Sequence, residues 1–85
     1  MKDELKVLQN AIINVLQCDI SELEKGTRFE GDLGADSLDA YQIMSLVQEE
    51  LGIELDPDKV EKIVTVDDAH RLILDAIDTV KENKQ

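Results

Sequence analysis

Gly31-Asp32-Leu33-Gly34-Ala35-Asp36-Ser37-Leu38-Asp39 is the stretch around which the chain is organised. Its two glycines permit tight turns at positive φ, so the segment can meet the following helix by a short path. Asp36 is a good N-cap, because a carboxylate there accepts from the free N–H groups of the first helical turn. Ser37 then becomes the first residue of that helix, outside the packed interior, with its hydroxyl beside the positive end of the helix dipole. An anion fixed there gains roughly 0.3–1 kcal/mol. A bare serine in this place has no evident chemistry. One carrying a phosphodiester suits it.

Working outward, the helix is predicted from Ser37 to about Leu51, with Gly52 as its stop. At about 100° per residue, Ala40, Ile43, Met44, Val47 and Leu51 fall on one face, the core side. Leu38, Tyr41, Gln42, Ser45, Leu46 and Glu49 gather on the other, with Asp39 at its edge. Leu38 and Leu46 have no burial within their own helix. Two such side chains beside Ser37, rimmed by Asp36, Asp39 and Glu49, read as a surface for docking a partner. The competing arrangement has the first helix or the loop covering Leu46 or Tyr41.

Upstream, Leu5, Leu8, Ile12 and Val15 recur at helical spacing, so an amphipathic helix is predicted from Lys2 to about Gln17. Cys18 follows as a small buried residue without a second Cys or a paired His. Residues 19–35 form a long connection with a helical turn around Ser21–Lys25. A loop of this length is pinned by its own side chains, here Phe29 and Leu33, with Ile20 and Leu23 adding to them. Downstream, Asp56-Pro57-Asp58 starts a short helix to about Ile63, its apolar residues Val60 and Ile63. It is the weakest element, having few contacts to hold it. Thr65 opens the last helix with Asp68 as a near capping box, and Val66, Ala69, Leu72, Ile73, Ala76, Ile77 and Val80 form its buried stripe. His70 stands at the margin of that stripe. Residues 1–80 thus read as one domain and 81–85 as a polar tail.

The chain of 85 residues has a net charge of −11, unevenly placed. Residues 30–62 hold ten carboxylates against Lys59 and Lys62, or −8, leaving −1 before them and −2 after. Such a field repels nucleic acid and anionic lipid and speeds encounter with basic patches on partners. A single Cys excludes an internal disulfide. The absence of an apolar run of signal or membrane-spanning length predicts a cytoplasmic protein with no membrane insertion. Zinc-ligand spacing and the alternating carboxylates of an EF-hand are missing, so no metal site is expected. Surface carboxylates without a pocket to shift them are not general acids, so no catalytic residue is assigned.

Asp36-Ser37-Leu38, preceded by Gly31-Asp32-Leu33-Gly34-Ala35, resembles the attachment motif of the acyl carrier protein family. The similarity extends from about Leu5 to about Leu74 and includes length and acidity. It implies that Ser37, flanked by Asp36 and Leu38, carries 4'-phosphopantetheine, moved from coenzyme A by a separate phosphopantetheinyl transferase. Acyl groups would ride on the arm as thioesters, and the chain itself would not be an enzyme. The fold implied is an all-α four-helix bundle with three longer helices, one short one and a long first loop. The acyl chain is expected among Ile43, Met44, Val47, Leu51, Leu55, Val60, Ile63 and Leu72, with the short helix yielding as it enters. Each buried CH₂ returns roughly 0.8 kcal/mol. The partners implied are fatty-acid or related synthase enzymes with basic docking patches, met by a monomer. Gln42, Ser45 and Tyr41 depart from the common fatty-acid pattern, where Glu, an apolar residue and a smaller aliphatic stand. A specialised carrier for polyketide, lipid A or other acyl or aminoacyl cargo is therefore the alternative.

Overall fold

In the computed structural model, which describes residues 3–24 and 26–83 (for 79–83 the backbone only), the chain is all-α. Helix α1 spans Glu4–Leu16, α2 Ser37–Leu51, α3 Pro57–Val60 and α4 Val66–Asn83, with a 3-10 turn at Ile20–Glu22. Helices α1 and α2 share the largest interface, α4 closes on α1, and α3 touches α2 and α4. The core is aliphatic. Leu8 and Ile12 of α1, Ile43, Met44 and Val47 of α2, and Val66 and Ile73 of α4 are its largest fully enclosed side chains.

Helix α1 starts at Glu4 because Asp3 caps it, its Oδ1 accepting from the N–H groups of Leu5 and Lys6 at 3.1 and 3.4 Å. It ends where Gln17 takes a left-handed conformation (φ 55°) and its N–H donates to Ile13 O. Lys2, at the predicted start, and Lys25, at the predicted loop turn, lie outside the described residues. So does the Val80 side chain.

The long connection is pinned differently from the sequence expectation. Leu23 and Phe29 are buried and Leu33 is half-buried, but Ile20 is 55% exposed. Ile20 opens the 3-10 turn at the surface, and Leu23, leaving that turn in a non-helical conformation, takes the inward place. Backbone pairing supplies a second pin. Arg28 and Thr65 form an isolated antiparallel bridge, in which Phe29 N–H donates to Val64 O and Val66 N–H to Thr27 O, each at 2.9 Å. The loop before α2 is thereby tied to the head of α4.

Helix α3 is shorter than predicted. After Val60 the N–H groups of Lys62 and Ile63 donate three residues back, to Lys59 and Val60, and the backbone tightens into turns instead of continuing the helix. Helix α4 in contrast runs on through Asn83, into the polar terminal segment, of which Lys84 and Gln85 lie outside the described residues. Its start is a complete capping box: Asp68 N–H donates to Thr65 Oγ1 at 3.1 Å, and Asp68 Oδ2 accepts from Thr65 and Val64 N–H at 3.1 and 3.0 Å.

Those hydrogen bonds, the Thr65 amide first, hold the Asp68 carboxyl below its ordinary value of 3.8. A depressed carboxyl contributes stability above its unfolded pKa and loses it as pH falls through the folded one. Asp68→Ala, which removes the acceptor of two backbone hydrogen bonds, is expected to cost about 1 kcal/mol at pH 7. The gap between wild type and variant stays level from pH 7 to 5 and closes as pH drops below 3.8. Denaturant melts at pH 7 and in acid measure it, and an unchanged gap would show that the ionised carboxylate is not its source.

Candidate functional site

Ala35 sets the position of Ser37. It is buried, and its N–H donates to Phe29 O at 2.8 Å, which anchors the chain just before α2. Gly34 bends the chain into this anchor at φ 66°, a conformation costly for a side-chain-bearing residue. Gly31, expected to do the same, does not adopt positive φ. A Cβ there would stand 3.2 Å from Arg28 Nε and 3.3 Å from its Cζ. Beyond Ala35 the chain emerges. Asp36 caps α2 by accepting from Asp39 N–H at 3.0 Å, and Asp39 Oδ2 in turn accepts from Asp36 N–H at 3.3 Å. Ser37 follows as the first helical residue, exposed, and among the described residues no group hydrogen-bonds its hydroxyl.

Ser37 stands on the wall of a cavity of about 430 Å³ between the loop, α2 and the segment from α3 to α4. Phe29, Ala35, Ala40, Val60, Ile63 and Val64 form its apolar surface, and Arg28, Glu30, Asp36, Ser37, Tyr41 and Glu61 its polar one. Tyr41 lines this cavity from α2. Its phenol donates to Pro57 O at 3.2 Å, joining α2 to the first turn of α3. Desolvation, with Glu61 and Asp58 nearby, holds that phenol above the ordinary tyrosine value of 10.0, so it remains a donor.

Of the eight residues expected around an acyl chain, Ile43, Met44, Val47, Leu55 and Val60 are buried, while Leu51, Ile63 and Leu72 are half-buried. Only Val60 and Ile63 among them line the Ser37 cavity. The expected docking residues separate into two groups. Leu38, 76% exposed, adjoins Ser37, and Tyr41 leans toward α3. Leu46 instead lines a shallower groove with Val7, Ala11 and Asn14 of α1. Gln42, Ser45 and Glu49 are exposed along α2, and Asp39 is half-buried by its capping role. Sequence reasoning missed Arg28, Glu61 and Val64 as neighbours of Ser37. Arg28 had a signal, being the only cation between Lys25 and Lys59.

Cys18 and His70 are half-buried. Burial pushes the Cys18 thiol up, with Glu22 adding to it, so it is not poised as a nucleophile. Among the described residues no cluster of His, Cys, Asp or Glu could hold a metal ion, and no helix is long and apolar enough to cross a membrane.

A family model described as "Phosphopantetheine attachment site" matches residues 6–73. The chain is 36% identical over 73 residues to the "Acyl carrier protein" of Sinorhizobium fredii (strain NBRC 101917 / NGR234), covering 86% of this chain and 94% of that protein. Identity and coverage are the same for the "Acyl carrier protein AcpP" of Rhizobium meliloti (strain 1021).

Proposed function

The chain belongs to the acyl carrier family, proteins with a phosphopantetheine attachment site, and from that premise we propose that Ser37 is the residue that carries the arm. The observation supporting this most is an exposed, unbonded hydroxyl at the head of α2, opening on a cavity. The site suits 4'-phosphopantetheine. Its attachment point is free to react, its wall includes the Arg28 cation, and its apolar surface can shelter a chain. The arm supplies a thiol on which acyl groups are held as thioesters. Loading forms a bond from Ser37 Oγ to phosphorus and breaks the phosphoanhydride of coenzyme A, releasing adenosine 3',5'-bisphosphate, with the serine proton passing to a base of the transferase.

The chain's own residues position and shelter the cargo, and the thioester chemistry belongs to partner enzymes. We infer a cytoplasmic carrier for fatty-acid biosynthesis, recognised through Asp36, Leu38, Asp39 and the exposed face of α2 by enzymes with basic patches. Tethering raises the effective concentration of the cargo at those enzymes. Helix α3 is the wall that yields, because few contacts besides the Tyr41 bond hold it.

Intact mass before and after treatment with coenzyme A and a phosphopantetheinyl transferase is the test. A gain of one phosphopantetheine is expected, followed by a malonyl group when a fatty-acid-pathway malonyl transferase is added. The acylated protein then exchanges amides faster across 55–64 than the unloaded one. No first gain sinks the carrier reading. A first gain without the second moves the cargo to a specialised pathway.

A further inference from the structure

Arg28 is held firmly by its backbone while its side chain is left without a partner. Its N–H donates to Asp32 Oδ2 at 2.8 Å, and its carbonyl accepts from Asp32 and Leu33 N–H at 3.0 and 3.1 Å. The bridge to Thr65 fixes the residue from the other side. Yet among the described residues the guanidinium makes no ion pair or hydrogen bond, although Glu30, Asp36 and Glu61 line the same cavity. An arginine unpaired among carboxylates has its charge available for something else. The guanidinium lies close to Gly31, where a Cβ would stand 3.2–3.4 Å from Nε, Cζ and one Nη. Arg28 and Ser37 both line one cavity of about 430 Å³.

We propose that Arg28 is the anion-binding residue of this cavity, pairing with a negatively charged oxygen of the group carried at Ser37. This rests on Ser37 being the attachment point. Arginine is suited to the task, because its planar fork offers several N–H donors to phosphate or carboxylate oxygens. Two sources supply such an oxygen: the phosphodiester at the root of the arm, or a carboxylate on a dicarboxylic acyl cargo. Pairing with either also offsets part of the repulsion between the carried anion and the three carboxylates of the wall. The fold therefore places one cation where the acidic half of the protein accepts a further negative charge.

The test uses wild type, Arg28→Lys and Arg28→Gln, each unloaded, holo, acetyl-loaded and malonyl-loaded, with loading verified by intact mass. The readouts are the Arg28 Nε–Hε resonance and the ³¹P resonance of the arm. If the phosphodiester is the partner, the Nε–Hε resonance moves on going from unloaded to holo, and the ³¹P resonance moves in Arg28→Gln. Arg28→Lys retains part of the ³¹P position, and high salt returns the wild-type signal toward that of Arg28→Gln. If a cargo carboxylate is the partner, the Nε–Hε resonance moves only when malonyl replaces acetyl. Either pattern supports the assignment. Fully loaded protein with an Arg28 resonance unchanged across all four forms overturns it, with the carrier reading intact. A chain that gains no mass overturns both, and intact mass distinguishes that failure from the spectroscopic one.

Discussion

Ser37→Ala is expected to leave a folded protein that gains no phosphopantetheine, a complete loss where wild type loads fully. The side chain can be removed cleanly because the cap of α2 does not use it: Asp36 and Asp39 satisfy each other's backbone N–H groups. Alanine is the best helix former, and an exposed substitution away from such features changes stability by no more than about 0.5 kcal/mol. Circular dichroism and a denaturant melt are thus expected to match wild type while intact mass separates the two. Ser21 and Ser45 are also exposed, one on the 3-10 turn and one two turns further along α2. They act as internal controls. Neither follows the Gly-Ala-Asp approach that sets Ser37 at a helix start. A mass gain persisting in Ser37→Ala would shift attachment to another residue and remove the basis of the site.

The largest effect on stability is expected from Phe29→Ala. Phe29 is 4% exposed, the only phenylalanine in the chain, and forms part of the cavity wall. Truncating a buried phenylalanine costs about 3–5 kcal/mol. A domain of this length has total stability of about 4–13 kcal/mol, at roughly 0.05–0.15 kcal/mol per residue. The loss is therefore about a quarter of the total at the upper end of that range and all of it at the lower end, so the urea midpoint of the variant is expected to fall well below that of wild type. Phe29→Leu keeps most of the volume and is expected to lose less, about 1–1.5 kcal/mol. Urea melts of the pair measure the difference. A loss below about 1 kcal/mol in Phe29→Ala would mean that backbone bonds, not the ring, hold the loop in place.

The starts of α2, α3 and α4 were legible in the sequence from local devices, whereas the equally local Asp3 cap of α1 was missed and that helix was expected from Lys2. Asp36 and Gly52 delimit α2, Asp56-Pro57 starts α3, and Thr65 with Asp68 starts α4, each within a few residues of the groups it satisfies. Features made between distant segments left no such trace. The Arg28–Thr65 bridge, the Tyr41–Pro57 bond and the Leu55 N–H donating to Gln48 Oε1 at 2.8 Å depend on how the helices meet. For the same reason the cavity beside Ser37 differs from the set of apolar residues that helical periodicity suggests. Periodicity identifies which face of α2 is buried, and Ile43, Met44 and Val47 are indeed enclosed. It does not tell which buried residues face a void. Gly31 shows a related limit, since a glycine there signals a turn at positive φ, yet its φ is not positive and the Arg28 guanidinium lies close to it.

Thr65 gives the protein a long-range dependency. Its hydroxyl starts the C-terminal helix, while the backbone on either side of it grips the strand of chain that delivers Ser37. Damage at this threonine therefore reaches the serine from the opposite end of the molecule, without any change in the helix that bears it. Two halves of the chain that never share a helix are thus coupled through main-chain bonds, so the placement of the serine depends on how the last helix begins.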